Sequence, residues 1–125
     1  MDLNQVTLPA RNVHESIDFY RRMGLVLIVE AGHYARFECP QGKSTFSIHQ
    51  VETCDGNGGC VVYFETEDLD QKVRQLQDTG FCFFQQPQDE PWLWREARLT
   101  DPSGNIICLY WAGENRKNPP WRVKA

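Results

Sequence analysis

The sequence predicts an α+β fold: two βαβββ modules whose strands form a curved, trough-shaped mixed sheet. Three observations predict it: two helices with matched caps, a constant spacing between them, and extended segments in the same order around each. The first helix is expected from about Val13 to Met23. Asn12 caps it, Glu15 completes a capping box, Ile17 and Tyr20 share a face, and Gly24 ends it in left-handed conformation. The second is expected from about Leu69 to Asp78. Asp68 is its cap, Gln71 stands at the box position, Leu69, Val73 and Leu76 form the apolar stripe, and Gly80 ends it. Asn12 and Asp68, Val13 and Leu69, Ile17 and Val73, Tyr20 and Leu76, and Gly24 and Gly80 all stand 56 residues apart. One offset through positions of matched role is the mark of an internal repeat.

The strands follow the same plan. An extended segment precedes each helix, about Leu3 to Leu8 and Val61 to Thr66. Three follow the first helix, about Leu25 to Glu30, Tyr34 to Glu38 and Thr45 to Gln50. Three follow the second, about Phe81 to Gln86, Trp94 to Thr100 and Asn105 to Trp111. Asp101 to Gly104 has Pro at its second place and Gly at its fourth, a type I turn pattern. The Gly-rich stretch Asp55 to Gly59 joins the modules. Neither module buries a core alone, so residues 1–112 are expected as one domain, with modules at about 1–54 and 60–112. Residues 113–125, with Pro119 and Pro120, are expected as an irregular C-terminal arm pinned by Trp121.

Composition narrows the partners. The net charge of -4 offers no basic footprint for phosphate, which argues against nucleic acid. No apolar run reaches a membrane-spanning length and the first residues lack signal-peptide character, so a cytoplasmic protein with no membrane partner is expected. The five cysteines are odd in number and form no C-x-x-C pair, which argues against a disulfide framework or zinc ribbon.

Asn12 to Tyr20 followed by Gly24 and Leu25, and Asp101 to Asn105 followed by Ile107 and Leu109, resemble the vicinal-oxygen-chelate superfamily. Its members include glyoxalase I, extradiol dioxygenases and bleomycin-resistance proteins. Pro91 to Glu96 is similar to a stretch of the bleomycin-resistance branch. The resemblance covers nearly the whole chain and implies the glyoxalase/bleomycin-resistance fold and a homodimer. In metal-dependent members, it implies ligands in the first and last strand of each module. Those positions hold Gln5, Val61, Ser47 and Cys108 here. Transition metals take imidazole, carboxylate or thiolate, so this set supplies one good ligand and no metal or other cofactor is expected.

Strand alternation places Val6, Leu8, Phe46, Ile48, Val62, Phe64, Ile107 and Leu109 toward the helices. Gln5, Thr7, Ser47, His49, Val61, Tyr63, Glu65, Cys108 and Tyr110 then line the trough. Glu96 and Arg98 share a face of their strand, and Pro87 to Trp94 is expected as a mouth loop carrying Trp92 and Trp94 beside Asp89 and Glu90. Candidate ligand-binding residues are Gln5, Thr7, Ser47, His49, Tyr63, Trp92, Trp94, Arg98, Cys108 and Tyr110.

Three functions stay open. The leading one is a metal-free protein that binds a planar or cationic small molecule against the aromatic walls. The alternative is a metal-dependent lyase, isomerase or dioxygenase whose metal site is displaced toward His49. The third is a metal-free enzyme with His49, Glu96 or Cys108 as acid, base or nucleophile. His14 and His33, on a helix face and in a turn, are expected to be exposed.

Overall fold

The computed structural model describes residues 1–124; Ala125, the end of the expected arm, lies outside the described residues. The order is β1 (Gln5–Ala10), α1 (Val13–Met23), β2 (Val26–Glu30), β3 (Tyr34–Glu38), β4 (Thr45–Gln50), β5 (Val62–Glu65), α2 (Leu69–Asp78), β6 (Phe83–Asp89), β7 (Arg95–Thr100) and β8 (Ile106–Trp111). A short 3-10 helix, Gly113–Arg116, follows. The strands form two four-stranded sheets, ordered β1-β4-β3-β2 and β5-β8-β7-β6. In each, the first and last strands of a module pair in parallel and β-hairpins supply antiparallel neighbours, so both sheets are mixed. This is the α+β class that the repeat predicts.

The repeat reaches single backbone bonds. The Asn12 side chain accepts the Glu15 N–H at 3.1 Å, and Asp68 accepts that of Gln71 at 3.2 Å. At the far ends, Gly24 donates to Arg21 and Leu25 to Tyr20, while Gly80 donates to Gln77 and Phe81 to Leu76, all at 3.0 Å. Gly24 and Gly80 both take the left-handed conformation, with φ of 115° and 102°.

By contact the chain packs as two compact units, Met1–Cys60 with Thr100–Ile106, and Val61–Leu99 with the residues from Ile107 onward. In the first unit, Tyr20 of α1 lies 4.6 Å from the Phe46 ring and 5.8 Å from the Phe37 ring, centroid to centroid. These buried rings fix which face of the sheet meets the helix. Each large apolar side chain so buried contributes about 1.5–3 kcal/mol relative to exposure. The Tyr20 hydroxyl donates to Asp101 Oδ2 at 2.6 Å, and Asp101 Oδ1 accepts the N–H groups of Ser103 and Asn105 at 2.9 Å. Asn105 Nδ2 donates to Asp101 Oδ2 and to the Pro9 carbonyl, both at 2.8 Å. The turn that the sequence marks most clearly is thus a buried hydrogen-bond hub. In the second unit, Leu69, Val73 and Leu76 are buried along one stripe of α2.

Some expected boundaries move. β1 runs from Gln5 to Ala10 rather than Leu3 to Leu8, because its register on β4 starts at Gln5 opposite Thr45 and ends at Ala10 opposite Gln50. Pro9 does not stop it, since an edge strand tolerates a residue without N–H. The expected loop from Pro87 to Trp94 is shorter than predicted. Pro87 lies in β6, the other sheet's edge strand, where the register slips between Gln85 and Gln88 and a bulge accommodates the proline. The remaining turn runs from Glu90 to Leu93. Trp121, expected to pin the arm to the surface, is 56% exposed. The root of the arm is tied where Glu65 Oε2 accepts the N–H groups of Ala112 and Gly113 and Glu65 Oε1 meets Arg116 at 3.7 Å.

Candidate functional site

Each unit presents one sheet face that carries the candidate polar and aromatic residues. In the first unit, the register sets Thr7 beside Ser47, Pro9 beside His49, Tyr34 opposite His49 and Arg36 opposite Ser47. Gln5, Thr7, Thr45, Ser47, His49, Tyr34 and Arg36 therefore share the face away from α1. Gln5 Nε2 donates to Ser47 Oγ and to Thr7 Oγ1, Thr7 and Ser47 join their hydroxyls at 2.7 Å, and Thr45 donates to Gln5 Oε1. Ser47 is fully buried beneath this network. His49 is exposed, with the His33 ring edge-on at 6.1 Å. His14 and His33 are exposed too.

Tyr34 and Arg36 were missed by the sequence reading, although strand alternation on β3 puts them on the same face as Ser47. Arg36 Nε donates to the Tyr34 hydroxyl oxygen at 2.9 Å. The Ser47 hydroxyl, and after it the Arg36 guanidinium, hold the Tyr34 phenol below its ordinary range. A shallow hollow of about 430 Å³ on α1, lined by His14, Ile17, Asp18, Arg21 and Arg22, lies on the helix and gathers none of the candidate residues.

In the second unit, Tyr63 stands beside Cys108 and Glu65 beside Tyr110. Trp94 stacks on Tyr110 at 4.8 Å, and the Tyr63 ring meets both edge-on, at 5.8 Å and 5.4 Å. Val61 and Trp94 pack against the buried cluster of Cys108, Tyr110 and Ala112. Trp94 Nε1 also donates to the Asn115 carbonyl at 3.4 Å.

Glu96 lies within this wall, 1% exposed. Its Oε1 accepts Arg98 Nη2 at 3.1 Å and the Cys108 thiol at 3.7 Å, and its Oε2 accepts the Trp92 indole N–H at 2.7 Å. Arg98 Nη2 reaches the Tyr63 hydroxyl at 3.2 Å as well. Burial, then the Glu96 carboxylate, push the Cys108 thiol up to about 12. A thiol so held is protonated and poorly nucleophilic. Among the loop acids, Asp89 pairs with Arg95 at 3.0 Å, and Glu90 Oε1 accepts the Gln88 amide at 2.8 Å. Trp92 rides on a tight turn closed by Leu93 N–H to Glu90 carbonyl at 3.0 Å and Glu90 N–H to Trp94 carbonyl at 2.8 Å.

The four positions where relatives would place metal ligands do not suit a transition metal. Gln5 and Ser47 are hydrogen-bonded to each other, Val61 has no donor, and Cys108 holds its proton. Among the described residues, no three His, Cys, Asp or Glu side chains gather as an ion would require.

Two mixed sheets, each from a capped βαβββ module, define a paired-module α+β protein. The Glyoxalase/Bleomycin resistance protein/Dioxygenase superfamily model matches residues 2–109, and the chain belongs to that superfamily. An uncharacterized protein of Mycolicibacterium smegmatis is 28% identical over 110 residues, 87% of this chain and 92% of that protein. Solved structures share the fold at lower identity. A glyoxalase/bleomycin resistance protein/dioxygenase from Nocardioides has a TM-score of 0.76 at 18% identity, covering 99% of this chain and 90% of that one. A bleomycin-binding protein complexed with bleomycin has 0.71 at 18%, covering 89% and 98%. A lactoylglutathione lyase from Agrobacterium tumefaciens has 0.72 at 17%, covering 88% and 92%.

Proposed function

We propose that this chain is a metal-free small-molecule-binding protein that holds a planar, uncharged aromatic ligand on the β5-β8-β7 face. The observation that carries the reading is the wall of Tyr63, Trp94 and Tyr110, with Trp92 held beside it by Glu96. Tyr63 and Trp92 are 41% and 43% exposed, so both keep surface for a ligand, while Cys108 and Tyr110 support from below. Aromatic faces bind planar groups through area and offset stacking. The charges favour a neutral ligand over a cationic one. Glu96, the acid buried in the wall, is paired with Arg98 and so is not free for a ligand cation, while at the turn Arg95 is shared between Asp70 and Asp89. The donor set at the superfamily's metal positions supports a site that works without an ion.

Acridine and N-methylacridinium, equal in outline and different in charge, test this at mildly alkaline pH by quenching of tryptophan emission. Acridine is expected to saturate and to bind at least as tightly as the cation. Trp92→Phe and Tyr63→Ala each weaken it about 2- to 10-fold, the span of one aromatic contact of ~0.5–1.5 kcal/mol. Tighter binding of the cation would return the ligand to the cationic class, and no saturation by either would remove the aromatic reading. Stoichiometric zinc, nickel, manganese or iron in protein purified without chelator would overturn the metal-free part.

A further inference from the structure

The first sheet carries a second cluster that the aromatic reading leaves without a task. Arg36 is exposed on β3, and among the described residues no carboxylate lies within ion-pair distance of it. An arginine in water needs no partner. This one is oriented, because its Nε–H is committed to the Tyr34 oxygen at 2.9 Å and its Cζ stands 5.5 Å from the centre of the Tyr34 ring. That leaves the two terminal amino groups of the guanidinium fork to donate outward.

Tyr34 points the same way. Its oxygen accepts from Arg36 Nε at 2.9 Å, and Arg36, with Ser47 across from it on the neighbouring strand, favours a phenol that gives its proton away. With the oxygen accepting, the phenolic O–H is the donor left over. Ser47 is fixed below by Gln5 and Thr7, so the floor of the cluster is ordered before any ligand arrives. His49 stands opposite Tyr34 on the same face and Glu38 lies opposite Thr45 at its far end. The face near Tyr34 is thus rich in donors and carries one fixed positive charge, a combination that matches an oxyanion.

We propose that Tyr34 and Arg36, set on the Ser47 floor, form an oxyanion subsite that accepts a carboxylate or a phosphate through the guanidinium fork and the phenolic O–H. The subsite belongs to the first unit and stands independently of the aromatic face of the second. Tyr34 is the hydrogen-bond donor and Arg36, which fixes the phenol oxygen through its Nε–H, supplies the charge.

Ring-carbon NMR of tyrosine-labelled protein tests it, with benzoate and inorganic phosphate as probes. The chain has four tyrosines, and Tyr34→Phe assigns the resonance. Either probe is expected to shift the Tyr34 signal saturably and to move its ionisation to higher pH, because a bound anion opposes the phenolate. Arg36→Ala abolishes the saturable shift and Arg36→Lys weakens it, since an ammonium lacks the fork. Saturation by benzoate alone identifies a carboxylate subsite, and by phosphate a phosphate subsite. A shift reproduced by chloride at equal ionic strength, or one that survives Arg36→Ala, overturns the proposal, as does no shift with either probe. Tryptophan emission reports the second unit separately, so failure here leaves the acridine result intact, and the reverse holds.

Discussion

Leu93 occupies the position in the β6-β7 turn that Gly104 occupies in the β7-β8 turn. Both turns have Pro at the second place, and both close with the same two backbone bonds: Leu93 to Glu90 and Gly104 to Asp101 at 3.0 Å, then Glu90 to Trp94 at 2.8 Å and Asp101 to Asn105 at 2.9 Å. Both residues have positive φ, 68° for Leu93 and 84° for Gly104. A left-handed leucine costs roughly 1–2 kcal/mol in backbone strain, while glycine is more flexible when unfolded. Leu93→Gly is therefore expected to stabilise the chain by about 1 kcal/mol, read as a higher urea midpoint at unchanged slope. Gly104→Leu should do the opposite.

Tyr20 and Asp101 give a larger effect. Tyr20→Phe leaves a buried carboxylate oxygen with one donor fewer, at a cost of about 1–3 kcal/mol. Asp101→Ala should cost more, because the N–H groups of Ser103 and Asn105 and the Tyr20 hydroxyl then all lose their acceptor. Equilibrium unfolding of the two variants checks the order.

The cysteines should separate by reactivity. Cys60 and Cys82 are exposed and are expected to react with a thiol reagent in native buffer, whereas Cys108 reacts only after denaturation. Mass mapping of modified peptides reads this directly. The same burial makes stability depend on pH. The Cys108 thiol ionises near 8.5 when unfolded and at about 12 when folded, so the folded chain holds the proton more tightly. Its contribution is complete below the unfolded value and is lost as pH rises through that window. Cys108→Ala should flatten this part of the alkaline unfolding profile.

Two glycines of the connection between modules should behave differently. A Cβ on Gly56 would collide with the Gly104 carbonyl oxygen, and its φ is 89°; around Gly58, at φ 62°, nothing lies within 4 Å. Gly58→Ala should cost only the backbone strain, about 1–2 kcal/mol. Gly56→Ala adds a backbone clash and should be clearly more destabilising in the same thermal melt.

The helices were legible because cap, stripe and terminating glycine all act within one short segment, and their bonds recur at the repeat offset. β3 and β4 were legible because turn residues bound them on both sides. The ends of β1 and β6 were not, since Pro9 and Pro87 read as breakers and only the sheet order shows that both strands are edges. Alternation placed Ser47 with Thr7 and Tyr63 with Cys108, and it could have placed Tyr34 and Arg36 had β3 been followed as β4 was. It could not find the Trp92–Glu96 bond, which depends on a turn conformation that a leucine seldom adopts. Nor could it distinguish a solvated Glu96 from a buried one, because that depends on the side chains that cover it.

The turn before β8 has a further consequence for dissecting the chain. A fragment ending at Cys60 would carry a complete βαβββ pattern yet leave the Tyr20 hydroxyl, the Pro9 carbonyl and the Arg11 N–H without the partners that Asp101, Asn105 and Ser103 supply. The repeat seen in the amino-acid order is therefore not a seam at which the protein can be cut. Half of the chain, expressed by itself, would be an open parenthesis awaiting seven residues from the other end.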